Sequence, residues 1–176
     1  LVFYRLREEL GEDAVNRALK RFLQDKGYQR APFATSRELI AYLREEAKPE
    51  QQALVTDLFE KIAFYDNRVV EATAKQRSDG RYDVTLKLHA AKRYADGKGK
   101  ETPGRLDDWI DVGVFARGPS GKERDEKVLY LERHRVTAED PVVTVTVDEA
   151  PYEAGFDPYN KLIDRVIVDN RKRVSM

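Results

Sequence analysis

The fold is decided by residues 70–90, VEATAKQRSDGRYDVTLKLHA, because this stretch has the two-residue period of β-strands on both sides of a turn. Apolar residues alternate with polar ones from Val70 to Ala74, and the turn-forming triplet Ser78-Asp79-Gly80 follows. Beyond the turn the apolar positions are again every second residue: Tyr82, Val84, Leu86, Leu88 and Ala90. Asp-Gly between two alternating runs predicts an antiparallel hairpin.

Downstream of the hairpin, strand-like runs occur three more times. They cover residues 109–115, 128–136 and 143–147. A glycine-containing loop at 96–99 precedes the first of these runs, and another at 118–121 follows it. Together with the hairpin this makes five strands. Antiparallel strands joined by glycine-rich turns predict a β-sandwich or a small barrel.

Upstream of residue 64 the apolar residues follow the helical period. Thr35 and Glu38 have the spacing of a capping box, which marks the start of a helix. Gly11, Gly27 and the pair Lys48-Pro49 are expected to end helices. Short connections of this kind predict about four antiparallel helices. Their apolar stripes begin at Val2, Ala14, Leu39 and Leu54, and the last is expected to reach Ile62.

The first of these helices begins at Leu1 without a capping residue before it, and the only methionine is Met176. This start favours a piece of a longer protein, and a trimmed N-terminus is the alternative.

The composition excludes several classes of function. The 32 basic and 32 acidic residues cancel, so no net charge draws the chain to nucleic acid or to an acidic membrane surface. The basic triplet 171–173 is too short to change that. The chain has no cysteine, and its apolar runs are far shorter than the roughly 20 residues that span a bilayer.

The two histidines, His89 and His134, are the only candidate imidazole ligands for zinc. Catalytic zinc sites usually take three protein ligands, often two histidines on one helix. Both histidines lie in predicted strands, and neither has a second histidine four residues away. We therefore expect surface imidazoles and no catalytic zinc held by this chain.

The densest carboxylate cluster is Asp107-Asp108-Trp109-Ile110-Asp111. Paired carboxylates can act as acid and base when one pKa is raised. The interpretation favoured by the sequence is a solvated loop that leads into a strand, with Trp109 packed beneath it.

The segment 154–165 mixes turn formers, aromatic residues and charges without a helical or strand period. Asp157-Pro158 favours a turn. Tyr159, Leu162 and Ile163 would anchor the segment to a core. The pairs Asp164-Arg165 and Asp169-Asn170 could bind neighbouring backbone groups. We expect a structural clasp whose characteristic residues are Asp157, Pro158, Tyr159, Asn160, Asp164 and Arg165.

The run from Asp157 to Arg165, followed by Asp169-Asn170, resembles the C-terminal end of bacterial aminopeptidase N-type zinc metallopeptidases, in particular those fused to an ABC-type permease. The similarity extends over nearly the whole chain. Its other segments are residues 10–16, 57–60, 65–67 and 106–115. Thr102-Pro103-Gly104-Arg105 departs from the family's usual run into the next strand.

The resemblance implies that the zinc ligands, the general-base glutamate and a supporting tyrosine lie upstream of Leu1. Tyr4 does not match that tyrosine's motif. Residues 1–64 would be the helical remainder of a thermolysin-like catalytic domain, and 65–176 the family's β-sandwich domain with its clasp. Zinc and the peptide substrate would then belong to the parent, and this region would hold no cofactor. Its partner would be the upstream catalytic domain, in a protein attached to the bacterial inner membrane.

Two other functions stay open from the sequence. The chain could be a stand-alone β-sandwich module that binds a protein or peptide without catalysis. It could also be an enzyme built on Asp107, Asp108 and Asp111, which would require these carboxylates to converge in a deep pocket with raised pKa values.

Overall fold

The computed structural model describes residues 1–118 and 125–176, which form two compact units. The first unit contains Leu1–Ala63 with the loop Ala95–Lys100, and the second contains Phe64–Tyr94 with Glu101–Met176. The predicted loop at 118–121 falls outside the described residues except for its first glycine.

The first unit contains the four expected helices: α1 (Val2–Leu10), α2 (Glu12–Lys26), α3 (Ser36–Glu46) and α4 (Gln52–Phe59). A single 3-10 turn at Pro49–Gln51 precedes α4. The apolar stripes meet in a core in which Leu6, Leu43 and Val55 are fully buried. The prediction for Ile62 was wrong, because α4 ends at Phe59 and Ile62 is the exposed first residue of a strand.

The predicted capping box at the start of α3 is confirmed. The Thr35 hydroxyl accepts the Glu38 N–H at 3.4 Å, and the Glu38 carboxylate accepts the Thr35 N–H at 2.7 Å.

We expect Thr35→Ala to lower the free energy of unfolding by about 1 kcal/mol, because it leaves an N–H at the helix start without its acceptor. Urea denaturation checks this, and Thr35→Ser should stay within about 0.5 kcal/mol of the wild type because serine caps as well.

The second unit is built from two four-stranded sheets. Its strands are β1 (Ile62–Gln76), β2 (Tyr82–Ala95), β3 (Glu101–Pro103), β4 (Asp108–Arg117), β5 (Glu126–Val136), β6 (Val142–Val147), β7 (Glu153–Phe156) and β8 (Arg171–Arg173). All five predicted strands are present. The hairpin of β1 and β2 is confirmed, with a five-residue loop from Arg77 to Arg81 in which Gly80 has φ +86°.

The first sheet places β2 between β1 on one edge and both β3 and β6 on the other. The second has the order β5-β4-β7-β8, so β4 is an inner strand. Pairing is antiparallel between β2 and β6 and throughout the second sheet. The buried side chains of both sheets form one cluster, in which Val84, Val112 and Phe156 are fully buried.

The fold is therefore α+β, with helices followed by antiparallel sheets, as predicted. Strands β3, β7 and β8 were not predicted; each has only three or four residues. No helix among residues 1–118 and 125–176 combines the length and the apolar character needed to cross a membrane.

Candidate functional site

The first aspartate of β4, Asp108, is buried and ion-paired, contrary to the predicted solvated loop. It shares the core-facing parity of Ile110, which places its carboxylate between the sheets. The Lys92 ammonium lies 3.0 Å and 3.2 Å from the two carboxylate oxygens. The Tyr65 hydroxyl donates a hydrogen bond of 2.9 Å to the same carboxylate. Since Tyr65 belongs to β1 and Lys92 to β2, this cluster connects the first sheet to the second.

The prediction that Trp109 packs beneath the loop was also wrong, because its side chain is 48% exposed. Successive residues of a strand point to opposite faces, and Ile110, Val112 and Val114 take the core face of β4. Trp109 therefore lies on the outer face, where its cross-strand neighbour is Arg135.

Asp111 lies on the same outer parity as Trp109 and is nevertheless buried. Its carboxylate forms an ion pair of 2.8 Å with Lys161, which belongs to the predicted clasp. The backbone carbonyl of Asp111 accepts the Asp157 N–H at 2.8 Å. The structure thus brings the carboxylate cluster and the clasp together at this residue.

Asp107 immediately precedes β4 and faces solvent with two arginines. The Arg135 guanidinium donates hydrogen bonds of 2.7 Å and 3.1 Å to its carboxylate, and Arg105 donates one of 3.2 Å. The Arg135 hydrogen bond holds the pKa of Asp107 below its usual range. Asp107 also lines an open cavity of about 450 Å³, within the ~300–1,000 Å³ usual for small-molecule sites.

The three aspartates do not converge on one pocket. Asp107, Asp108 and Asp111 each have a separate cation, and only Asp107 lines the cavity. An acid–base pair needs two carboxyl groups whose environments separate their pKa values at one site. The geometry of β4 therefore gives no support to an enzyme built on this cluster.

The clasp is organised by Asp157, as the turn prediction indicated. Its carboxylate accepts the backbone N–H groups of Lys161 and Leu162, both at 2.9 Å. Its backbone has φ +49°, a left-handed conformation that aspartate and asparagine tolerate better than most residues. Asn160 closes the turn with φ +53° and donates its N–H to the Asp157 carbonyl at 2.9 Å.

Pro158 and Tyr159 hold the clasp against the outer face of the second sheet. A Cβ added at Gly155 would lie 2.6 Å from the Pro158 side chain, and one at Gly113 would lie 3.2 Å from it. The two glycines thus allow the proline to approach the sheet closely. Tyr159 packs edge-on against Phe115, with ring centroids 6.1 Å apart, and remains 44% exposed.

Asp164 and Arg165 attach the far end of the clasp to β1. The Asp164 carboxylate accepts the Asn67 N–H at 2.9 Å and the Val166 N–H at 3.1 Å. The Arg165 backbone N–H donates to the Tyr65 carbonyl at 3.1 Å, and its side chain pairs with Glu101. Farther along, the Asn170 carbonyl accepts the Phe156 N–H at 2.8 Å.

Burial raises the pKa of Asp164, and the two backbone hydrogen bonds offset only part of that effect. A carboxyl group with a raised folded-state pKa contributes stability below its unfolded pKa and loses it as the pH rises through the folded value. We therefore expect wild type to lose stability relative to Asp164→Asn between pH 3 and pH 6. Urea denaturation of both proteins across this range measures the difference, and a constant difference would contradict the assignment.

The histidines have local partners. His89 Nδ1 lies 2.8 Å from an Asp140 carboxylate oxygen, and His134 Nε2 lies 2.7 Å from the Tyr130 hydroxyl. Within residues 1–118 and 125–176, no cluster of three or more histidine, aspartate or glutamate side chains could hold a metal ion.

Sequence reasoning missed Lys92, Tyr65 and Lys161 as partners of the aspartates. The sequence does indicate that Lys92 is buried, since it lies two residues after Ala90 and four after Leu88, on the side of β2 that faces the core. Lys161 had none, because its partner Asp111 is distant in sequence and the clasp has no regular period.

A scan against protein-family models and a search of curated proteins both find no match to this chain.

Proposed function

We propose that this chain is the non-catalytic C-terminal region of an aminopeptidase N-type zinc metallopeptidase. Residues 1–64 would be the helical remainder of the catalytic domain, and 65–176 a β-sandwich domain closed by the clasp. The observation that carries the proposal is the clasp itself. Residues 157–165, which resemble the family's C-terminal end, are tied by hydrogen bonds to β4 and β1.

Contacts between the two sheets support the proposed β-sandwich. Both sheets contribute to one buried cluster, and the ion pair between Lys92 and Asp108 lies between a strand of each. Side chains that interdigitate from two sheets are typical of face-to-face packing. These contacts support a sandwich more than two independent sheets.

The proposed role is to support the catalytic domain and to shape one side of its cleft. In support, the three aspartates of the 107–111 cluster are each engaged by a cation of the same unit. On α1, Phe3 and Tyr4 are 43% and 46% exposed, which suits a face that packs against the upstream part of the catalytic domain. The parent would supply the zinc and bind the peptide, at the bacterial inner membrane.

An activity assay tests the proposal. The purified chain, incubated with equimolar ZnCl₂, is expected to leave alanine p-nitroanilide unhydrolysed above the rate of a zinc-only blank. Hydrolysis that depends on both protein and zinc would overturn the assignment as a non-catalytic region.

The reading frame that encodes residues 1–176 provides an independent test. We expect it to encode His-Glu-x-x-His upstream of Leu1, since this motif carries two zinc ligands and the general base. In the protein expressed from that frame, replacing the motif's glutamate should abolish aminopeptidase activity. A frame without the motif would refute the family assignment.

A further inference from the structure

The outer face of the second sheet presents the chain's only tryptophan to solvent. The Trp109 indole is 48% exposed, although large aromatic side chains are usually mostly buried. Its direct cross-strand neighbour is Arg135, so the two side chains share the outer face with their Cβ atoms about 5 Å apart. The indole is thus next to a guanidinium group that has a second role.

That second role is to line the open cavity of about 450 Å³ described above. The cavity is formed where the chain enters β4 and leaves β5. Its polar wall consists of Gly104, Arg105, Asp107, Arg135, Thr137 and Glu139. Arg135 is therefore both a lining residue of the cavity and the cross-strand neighbour of the exposed indole.

The charges of this cavity select against ionic ligands. The residues that line the cavity include two that carry guanidinium groups, Arg105 and Arg135, and two that carry carboxylates, Asp107 and Glu139. The Asp107 carboxylate is charged at neutral pH, as aspartates ordinarily are, and cancels a positive charge; the hydrogen bond from Arg135 lowers its pKa further. An anion or a cation would meet as much repulsion as attraction here. A neutral ligand with many hydroxyl groups would find both donors and acceptors.

The polar groups keep capacity for such a ligand. A carboxylate offers about four acceptor positions and a guanidinium five donors. The Arg135–Asp107 pair fixes the orientation of both groups through two hydrogen bonds. Arg105 is 86% exposed, so most of its donors face solvent. An adjacent donor and acceptor of this kind match the vicinal hydroxyls of a sugar ring.

We propose that Trp109 and the adjoining cavity bind a neutral oligosaccharide. The indole stacks on the apolar C–H face of one sugar ring, and Arg135, Asp107 and Glu139 bind the hydroxyl groups of the ring beside it. An aromatic surface beside a few oriented polar groups is the usual composition of a small-ligand site. This inference goes beyond the proposed scaffolding role and does not depend on it.

Intrinsic fluorescence tests the proposal directly, because any tryptophan signal comes from Trp109. The probes are cellohexaose, maltohexaose, chitohexaose, mannohexaose and xylohexaose, with hexa-aspartate and hexalysine as charged peptides. We expect at least one neutral hexasaccharide to change the emission saturably, and neither peptide to do so. No response to any hexasaccharide, or saturable binding of a peptide in its place, would overturn the proposal.

Variants locate the binding, measured by titration calorimetry because some lack the fluorophore. Trp109→Ala and Arg135→Ala are each expected to weaken binding of the responding hexasaccharide at least tenfold. Trp109→Phe should weaken it less, since a smaller aromatic face remains. The matched control is Arg117→Ala at the other end of β4, which should bind like wild type. Wild-type affinity in Trp109→Ala or in Arg135→Ala would refute the site.

Discussion

Replacing Lys92 with methionine is expected to lower the free energy of unfolding by about 3–5 kcal/mol, because the variant leaves the Asp108 carboxylate buried without its cation. Lys92 and Asp108 are 5% and 7% exposed, so water cannot replace the lost ammonium without opening the structure. The Tyr65 hydroxyl would still donate a hydrogen bond to the Asp108 carboxylate, but it carries no compensating charge. Urea denaturation of the purified variant measures the loss.

Lys87→Met is the matched control on the same strand. Lys87 pairs with Glu71 at 2.7 Å, but its side chain is 60% exposed, and the loss should stay below about 1 kcal/mol. The double variant Lys92→Met/Asp108→Asn removes both charges and should recover most of the stability lost in the single variant. A loss at Lys92 no larger than at Lys87 would contradict the buried ion pair.

Asp157→Ala is expected to lower the free energy of unfolding by about 2–4 kcal/mol, because it leaves two backbone N–H groups without an acceptor. The Leu162 amide is one of the two, and its side chain is only 7% exposed. Alanine is also less tolerant of the left-handed backbone at this position. Urea denaturation gives the global effect, and hydrogen exchange at the Leu162 amide gives the local one.

Asp157→Asn should cost about half as much, because asparagine retains one carbonyl acceptor and tolerates the left-handed conformation. Asp148→Ala, at an exposed position after β6, is the control and should change stability by less than about 0.5 kcal/mol. Unchanged exchange at Leu162 in Asp157→Ala would show that the aspartate does not hold the clasp.

The sequence predicted those elements whose pattern is local. The hairpin of β1 and β2 shows apolar alternation on both sides of Asp79-Gly80, over residues 70–74 and 82–90. The capping box at Thr35 is complete within four residues. Strand β7 could not be found in the same way. Its four residues, 153–156, include Gly155, and pairing with β4 and β8 is what makes them a strand.

The candidate site was harder to predict for a related reason. Alternation in β4 separates Trp109 and Asp111 from the core-facing residues, but it cannot tell which part of the outer face is covered. The clasp covers Asp111, with which its Lys161 forms an ion pair, while Trp109 remains exposed. Only a contact between segments distant in the chain distinguishes the two positions.

The inner position of β4 has a consequence for synthesis of the protein. Its neighbour β5 follows soon after it, but its other neighbour, β7, and the clasp that covers Asp111 come from residues 153–162. During synthesis, one edge of β4 therefore stays unpaired until those residues have emerged from the ribosome. An unpaired strand edge is a template for association with other chains. Nascent chains of which only residues up to 152 have emerged from the ribosome should accordingly bind chaperones more strongly than those of which residues up to 173 have emerged.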